Sequence, residues 1–196
     1  MSGPYDWFLM PHVLDVRCPS CRGCARFEHV EVVRIARKID LDWFRESAWF
    51  EVRFFRRRHV GESHWGALYF AGLSGPPTTT IRDLPVGYTP DQWAHRRTWE
   101  RSHDLDLGSL TCACGVRSKH TLDWPSDAYF QLEHRLEVLW AFHREHAAML
   151  REHIAGTDRR PRRSRYGALM RRIPSTFLEA KARTTVVRKL DRLLRA

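Results

Sequence analysis

Two closely spaced cysteine pairs, about ninety residues apart, constrain the fold of this 196-residue chain more than any other feature. The first pair is Cys18-Pro-Ser-Cys21 and the second is Cys112-Ala-Cys114. A structural zinc site binds its ion tetrahedrally through four Cys or His ligands. The spacing therefore predicts that one zinc ion, bound by all four cysteines, joins the N-terminal region to the middle of the chain.

Other residues and other chemistry fit parts of this pattern. Cys24 or His120 could replace one ligand, and the second pair is one residue shorter than the usual C-x-x-C turn. A C-P-x-C motif also occurs in thiol–disulfide oxidoreductases, where it opens a helix, but the residues that follow it here have strand character. His143 and His146 have the i,i+3 spacing at which two histidines can share a metal, although no partner carboxylate motif completes such a site.

The hydropathy pattern predicts an α+β protein, in which a zinc β-ribbon carries an inserted antiparallel β-hairpin region and a C-terminal helical tail. A Gly, Pro and Thr-rich segment at 73–88 predicts a loop. Thr89-Pro90 predicts the start of a short helix, with Thr as N-cap and Pro at the first helical position. Alternating and aromatic residues predict strands within 25–38, at 47–57, 64–71, 107–111 and 116–122.

The last third of the chain has helical character. Apolar residues at spacings of three to five predict a helix that ends near Gly156, through Leu139, Phe142, Ala147, Leu150 and Ile154. Residues 126–138 fit a helix by pattern but contain aromatic residues, so their structure stays open. A last helix is predicted to begin at Pro174-Ser175 and to turn its apolar residues inward, namely Phe177, Leu178, Val186, Val187, Leu190 and Leu194.

These patterns divide the chain into two regions. Residues 1–124 form the zinc-ribbon β domain, with an insertion at about 40–105, and residues 125–196 form a basic helical region packed on it. Five cysteines with metal-like spacing favour a reducing, cytoplasmic location. The chain has no run of 18 apolar residues and no secretory signal pattern, so we expect no membrane partner.

The formal charge of +10 lies entirely in the last 46 residues. Residues 151–196 contain 14 Lys or Arg and four acidic residues, whereas the first 150 residues contain 19 of each sign. Such asymmetry predicts a polyanionic partner, with nucleic acid, DNA or RNA, as the first candidate. The candidate phosphate-binding residues are Arg159, Arg160, Arg162, Arg163, Arg165, Lys181, Arg183, Arg188 and Lys189.

Three segments resemble a largely uncharacterised bacterial family of transcription-factor-B-type zinc-ribbon-containing proteins. They are Leu110-Thr-Cys-Ala-Cys-Gly115, Leu139-Trp-Ala-Phe-His-Arg-Glu-His146 and Ile173-Pro-Ser-Thr-Phe-Leu-Glu-Ala-Lys-Ala-Arg183. Cys18-Pro-Ser-Cys21 would be the family's first knuckle. The shortened second knuckle and His143, where the family tends to have Asn, are departures. The resemblance implies zinc binding and points to nucleic acid, but a fold label does not define a function.

A zinc-binding, nucleic-acid-binding module is therefore the first functional hypothesis. The alternative is a protein-interaction or assembly subunit that uses the aromatic insert and the basic tail, and an exposed aromatic patch within 47–71 would favour it. An enzyme is disfavoured, because the sequence contains no P-loop, GxSxG, HExxH or zinc-deaminase pattern. Four cysteine ligands would also leave no open coordination position for a water molecule.

Overall fold

A computed structural model describes residues 10–56, 63–94, 106–156 and 166–195. The protein belongs to the α+β class, as predicted. Within the described ranges, no helix is long and apolar enough to cross a membrane. The strands are β1 Val13–Arg17, β2 Cys24–His29, β3 Glu31–Arg34, β4 Glu51–Arg56, β5 Ser63–Tyr69, β6 Leu107–Cys112, β7 Arg117–Thr121, β8 Phe130–His134 and β9 Glu137–Ala141. The helices are α1 Leu41–Glu46, α2 Ala71–Ser74, α3 Pro77–Thr80, α4 Arg144–Ala155, α5 Gly167–Met170, α6 Ser175–Leu178 and α7 Ala180–Arg195, with 3₁₀ helices at Lys38–Asp40 and Pro90–Trp93.

The first sheet is antiparallel and carries both cysteine turns. Its strand order is β1-β2-β6-β7, so β2 pairs with β1 on one side and with β6 on the other. The register pairs Arg17 with Cys24 and Ala25 with Cys112. The β1–β2 turn and the β6–β7 turn therefore lie side by side at the same end of the sheet.

The second sheet, of order β3-β5-β4, is built from the segment between the two cysteine pairs. The predicted hairpin is confirmed, since β4 and β5 pair antiparallel. One face buries Phe44, Tyr69 and Trp93 in an aromatic core of its own. The Trp93 indole N–H donates to the Ala67 carbonyl at 2.9 Å, so the polar atom of this buried ring is satisfied.

The predicted loop at 73–88 is wrong in part, because α2 and α3 occupy its first half. Proline at the first position favours the short helix α3. The Thr80 hydroxyl donates to the Ser74 carbonyl and holds α3 against α2. The short helix after Thr89 is confirmed as a 3₁₀ helix that begins with a capping box between Thr89 and Gln92.

Residues 130–141 form a β-hairpin, which corrects the prediction that Leu139 and Phe142 belong to a helix. Strands β8 and β9 pair antiparallel, with Phe130 opposite Ala141 and Leu132 opposite Leu139. These side chains are buried on one face of the hairpin, as an alternating pattern requires. The helix itself begins only at Arg144, and it ends at Ala155 with Gly156 as the C-cap, as predicted.

The predicted last helix is two helices. Glu179 has φ −61° and ψ 141°, an extended conformation that separates α6 from α7. The inward-facing residues Phe177, Val186 and Leu190 are buried as predicted. They join the core beneath the first sheet, which also contains residues of β8, β9 and α4.

Candidate metal centre and basic helix

The four predicted cysteines come together at the end of the first sheet. The sulfur of Cys18 lies 3.7 Å from that of Cys114, and the sulfur of Cys21 lies 3.6 Å from that of Cys112. All four sulfurs lie within 4.8 Å of one another. Metal–sulfur bonds of ~2.3 Å in a tetrahedron require sulfur separations of about 3.8 Å. The cluster could therefore hold one metal ion.

Backbone geometry in each turn points the sulfurs towards one another. In the first turn, the Cys18 amide donates to the Gly23 carbonyl at 2.9 Å, and the Arg22 amide donates to the Cys18 carbonyl at 3.0 Å. In the second turn, the Gly115 amide donates to the Cys112 carbonyl at 3.0 Å. Gly115 has φ 96°, a left-handed conformation that favours glycine. This glycine lets the shorter C-x-C turn close as tightly as the cluster needs.

The thiols differ in how readily they lose a proton. The backbone amide of Cys21 is the main cause of a pKa of about 7 for the Cys18 thiol, against the opposing effect of burial. The pKa of Cys112 is lowered by the Cys114 amide but raised more strongly by hydrogen bonds with neighbouring thiols and by burial, to about 12. Metal binding requires thiolates. A cation bound by the four sulfurs must therefore displace the thiol protons.

Cys24 and His120, the two alternative ligands, lie outside the group of four. Burial, together with the nearby charge of Asp15, raises the pKa of the Cys24 thiol to about 11, so this thiol stays protonated at neutral pH. The His120 Nε2 atom lies 2.9 Å from a carboxylate oxygen of Asp127. Among the described residues, the candidate metal ligands are therefore the four cysteines of the two close pairs.

His143 and His146 have structural contacts rather than a shared metal cluster within the described residues. His143 is the N-cap of α4, and its Nδ1 atom accepts from the His146 amide at 3.4 Å. Its Nε2 atom lies 2.6 Å from the Tyr166 hydroxyl. The ring of His146 stacks on Tyr166 at a centroid distance of 4.4 Å. The two histidines hold the start of α4 against Tyr166, the residue before α5.

The candidate phosphate-binding residues separate into three groups. Lys181 and Arg188 are exposed on α7. Arg183 is half-buried, and Lys189 donates to the Glu133 carbonyl at 2.9 Å, so these two face the protein. The remaining candidates lie outside the described residues, namely Arg159, Arg160, Arg162, Arg163 and Arg165.

Helix α7 also presents two exposed cations beyond the predicted set, Arg192 and Arg195. With Lys181 and Arg188 they form a stripe at spacings of seven, four and three residues, which lie on one side of a helix. The buried face is set by Ala182, Val186 and Leu190, and the cations avoid it. The i, i+4, i+7 spacing of Arg188, Arg192 and Arg195 was visible in the sequence. The number of cations alone does not show which of them point outward.

Ion pairing on α7 differs between the stripe and the inward-facing residues. None of the four has an ion-pair partner among the described residues. Residues of the same helix that face inward do have partners, since Asp191 accepts from Arg151 of α4 at 2.9 Å. We call these four residues, Lys181, Arg188, Arg192 and Arg195, the α7 stripe.

Comparisons with family models, curated proteins and solved structures found no match to this chain.

Proposed function

We propose that this protein is a zinc-stabilised module that binds nucleic acid through the phosphates, using its basic C-terminal helix. Four sulfur ligands without nitrogen or oxygen ligands are typical of a structural zinc ion, or of iron. With four thiolates the coordination shell is closed, which favours a structural role over a catalytic one. Elemental analysis of the purified protein is expected to give one zinc per chain, and iron or no metal would contradict the proposal.

The observation that carries the nucleic-acid part is the α7 stripe. Helix α7 rises ~1.5 Å per residue, so its four cations span about 21 Å from Lys181 to Arg195. This length corresponds to about six phosphate steps of one DNA strand. A cation without an ion-pair partner can neutralise a phosphate and release a counterion from the nucleic acid. A cation already paired with a carboxylate of the protein contributes less to this release.

Two features of the sequence support the same proposal. The net charge of +10 is concentrated in residues 151–196, which include the stripe. The chain also resembles the transcription-factor-B-type zinc-ribbon family in its knuckles and its C-terminal segment, and we propose membership of that family. Phosphate contacts position a protein without selecting sequence, so we expect binding to be largely sequence-independent.

A salt titration tests the stripe directly. Lys181, Arg188 and Arg192 are changed together to Gln, and affinity for two unrelated duplexes is measured as salt is raised. Each lost duplex phosphate contact reduces the slope of log affinity against log salt by ~0.9, so three lost contacts reduce it by about 2.7. The matched control replaces Arg34, Lys38 and Arg82, which are exposed outside the C-terminal region.

Two results would contradict the proposal. In one, the control triple variant changes the slope as much as the stripe variant, which would indicate a general charge effect. In the other, the wild type fails to bind either duplex at about 50 mM salt, where phosphate contacts are strong.

A second candidate function, an assembly subunit, is favoured by two exposed aromatic residues in the inserted region. Trp49 is 42% exposed and Phe54 is 44% exposed. Exposed aromatic rings are enriched in protein interfaces. Sedimentation velocity over a range of protein concentrations tests this candidate, since an assembly subunit that pairs with itself would show a concentration-dependent size.

A further inference from the structure

The outer end of the β4–β5 ribbon carries an aromatic pair that faces solvent. Phe54 on β4 lies directly opposite Trp65 on β5, and their ring centroids are 5.0 Å apart. The next pair along, Phe55 and His64, points to the other face of the sheet and stacks there. Phe54 and Trp65 therefore share one face with no other ring between them.

The Phe54–Trp65 pair lies at the end of the aromatic core of the second sheet, where fewer residues cover it. On the same face, Ala67 and Tyr69 are fully buried beneath Phe44 and other residues of that core. Along β5 towards the ribbon end, burial decreases from Ala67 to the half-buried Trp65, and Phe54, opposite Trp65 on β4, is exposed. The strand β4 is the outer strand of its sheet among the described residues. Phe54 therefore remains 44% exposed although its ring contacts Trp65.

A guanidinium group lies over each of the two rings. The Arg45 guanidinium lies 5.0 Å from the Trp65 ring centroid, and that of Arg56 lies 5.7 Å from the Phe54 centroid. Arg45 also contacts the exposed carboxylate of Asp42 at 3.3 Å. Arg56 is exposed and has no acidic partner among the described residues. The surface therefore combines two aromatic rings with a positive charge over each of them.

We propose that Phe54, Trp65, Arg45 and Arg56 form a base-stacking surface for single-stranded nucleic acid. A base would stack on Phe54 in place of the exposed Arg56 guanidinium, and the two arginines would pair with the phosphates on either side of the base. Aromatic faces beside a cationic groove are how single-strand binders hold the bases without selecting sequence. The inference rests on the proposed function and adds the form of the ligand, an unpaired strand, because bases in a duplex cannot stack on a protein ring.

A protein partner fits this surface less well. Two aromatic side chains bury at most 150–250 Å² each, whereas a stable interface needs about 800 Å² from each partner. An apolar partner would also have to desolvate the Arg56 guanidinium without providing an anion for it, which is unfavourable. A nucleotide provides both the planar base and the anion.

The test compares binding of a single strand and of a duplex by fluorescence anisotropy, using the full-length metal-loaded protein. The single strand is an oligothymidylate of about 20 nucleotides, longer than the ~4–16-nucleotide sites of single-strand binders. Phe54→Ala is expected to weaken its binding about 5- to 150-fold, the loss that follows from removing one base–aromatic stack. Duplex affinity and the salt slope should not change, because no charge is removed.

Two control variants separate stacking from apolar area. Phe54→Tyr keeps an aromatic face and is expected to bind like the wild type. Ile39→Ala removes an apolar side chain that is 83% exposed elsewhere in the same region, and it should have no effect. Loss of binding by Phe54→Tyr, or an equal loss by Ile39→Ala, would overturn the inference.

Failure of this inference can be told apart from failure of the proposed function. If the stripe variant loses its salt slope but Phe54→Ala binds the single strand normally, only the stacking surface is refuted. If the wild type binds neither oligonucleotide, both proposals fail. If Phe54→Ala instead converts a dimeric wild type to a monomer in sedimentation velocity, the surface is an interface between copies of the chain and the inference is wrong.

Discussion

Removal of the metal is expected to destabilise the whole protein, and the structure sets the size of the effect. The cysteines that approach each other across the cluster are 91 and 96 residues apart in the chain. An unfolded chain can bring all four sulfurs to one ion only by closing a loop of that length, which costs about 5 kcal/mol at 25 °C. A metal ion held by the four cysteines would therefore bind the folded chain more tightly than the unfolded chain by at least that amount, and this difference would be folding free energy.

For a chain of this size, each kcal/mol corresponds to a Tm change of about 2–4 °C, so chelation should lower Tm by about 10–20 °C. The measurement is thermal unfolding by circular dichroism of metal-loaded and chelated protein, with metal content measured in both samples. Cys112→Ser should reproduce the loss, because it removes one ligand. The matched control is Cys24→Ser, which changes a cysteine outside the cluster.

A small shift would refute the reasoning. If chelated protein with no measurable metal melts within about 2 °C of the loaded protein, the metal contributes less than about 1 kcal/mol. The paired strands β2 and β6 would then hold the cluster together without it.

Three further predictions concern single residues. In the metal-loaded protein, Cys24 should react slowly with iodoacetamide, because a thiol with a pKa of about 11 is only about 0.1% thiolate at pH 8; rapid labelling at Cys24, found by mass spectrometry, would contradict this. Two hydrogen bonds of 2.8 Å from Arg37 hold the pKa of Asp40 below its ordinary value. The stability from this pair is then fully present above about pH 4 and is lost as pH falls through the folded-state pKa. Asp40→Asn should therefore lower the free energy of unfolding measured in urea at pH 7, with a smaller loss below pH 4, and a pH-independent difference would count against the ion pair. Leu136 is 93% exposed with φ 66°, so Leu136→Gly should raise the free energy of unfolding by about 0.5–1 kcal/mol, whereas Leu136→Ala should give no gain.

The cysteine cluster could be predicted from sequence because its information is local. Each pair is a turn of three or four residues with glycine close behind it, and a metal is the simplest reason to place two such turns in one chain. The register that brings Ala25 opposite Cys112 was not needed for that prediction. Four ligands to one ion require the two turns to lie together, whichever strands lie between them in the sequence.

The β8–β9 hairpin was missed because its turn carries no sequence signal. Arg135 and Leu136 have φ values of 51° and 66°, a left-handed pair that is usually Asn-Gly in such turns. Without that signal, the apolar spacing of Leu139 and Phe142 with the later α4 residues matched a helical period. The side chains of this hairpin are buried by the surrounding core, so tertiary packing decided the structure rather than local preference.

The net positive charge of the C-terminal region could be predicted from the sequence, but the directions of its individual side chains could not. Its sequence gives the number of cations, whereas their direction depends on which face of α7 the core takes. Burial of Val186 and Leu190 turns Arg188 outward and leaves Lys189 to donate to the β8 backbone. Half of the described candidates were therefore on the wrong side of the helix for a partner.

The metal cluster and the α7 stripe are far apart in sequence but share one strand as their support. Asp15 lies on β1, three residues before Cys18, and its carboxylate accepts from the Arg144 amide at 2.8 Å, at the first residue of α4. Helix α4 in turn holds α7 through the bond between Arg151 and Asp191. Most of the stability of an amphipathic helix in a protein comes from packing of its apolar face, so α7 depends on that packing to keep its cations in a row. The proposed nucleic-acid binding should therefore weaken when the proposed metal is removed, although the two ligands do not touch. Binding at full strength after complete metal removal would show that the stripe does not depend on the metal.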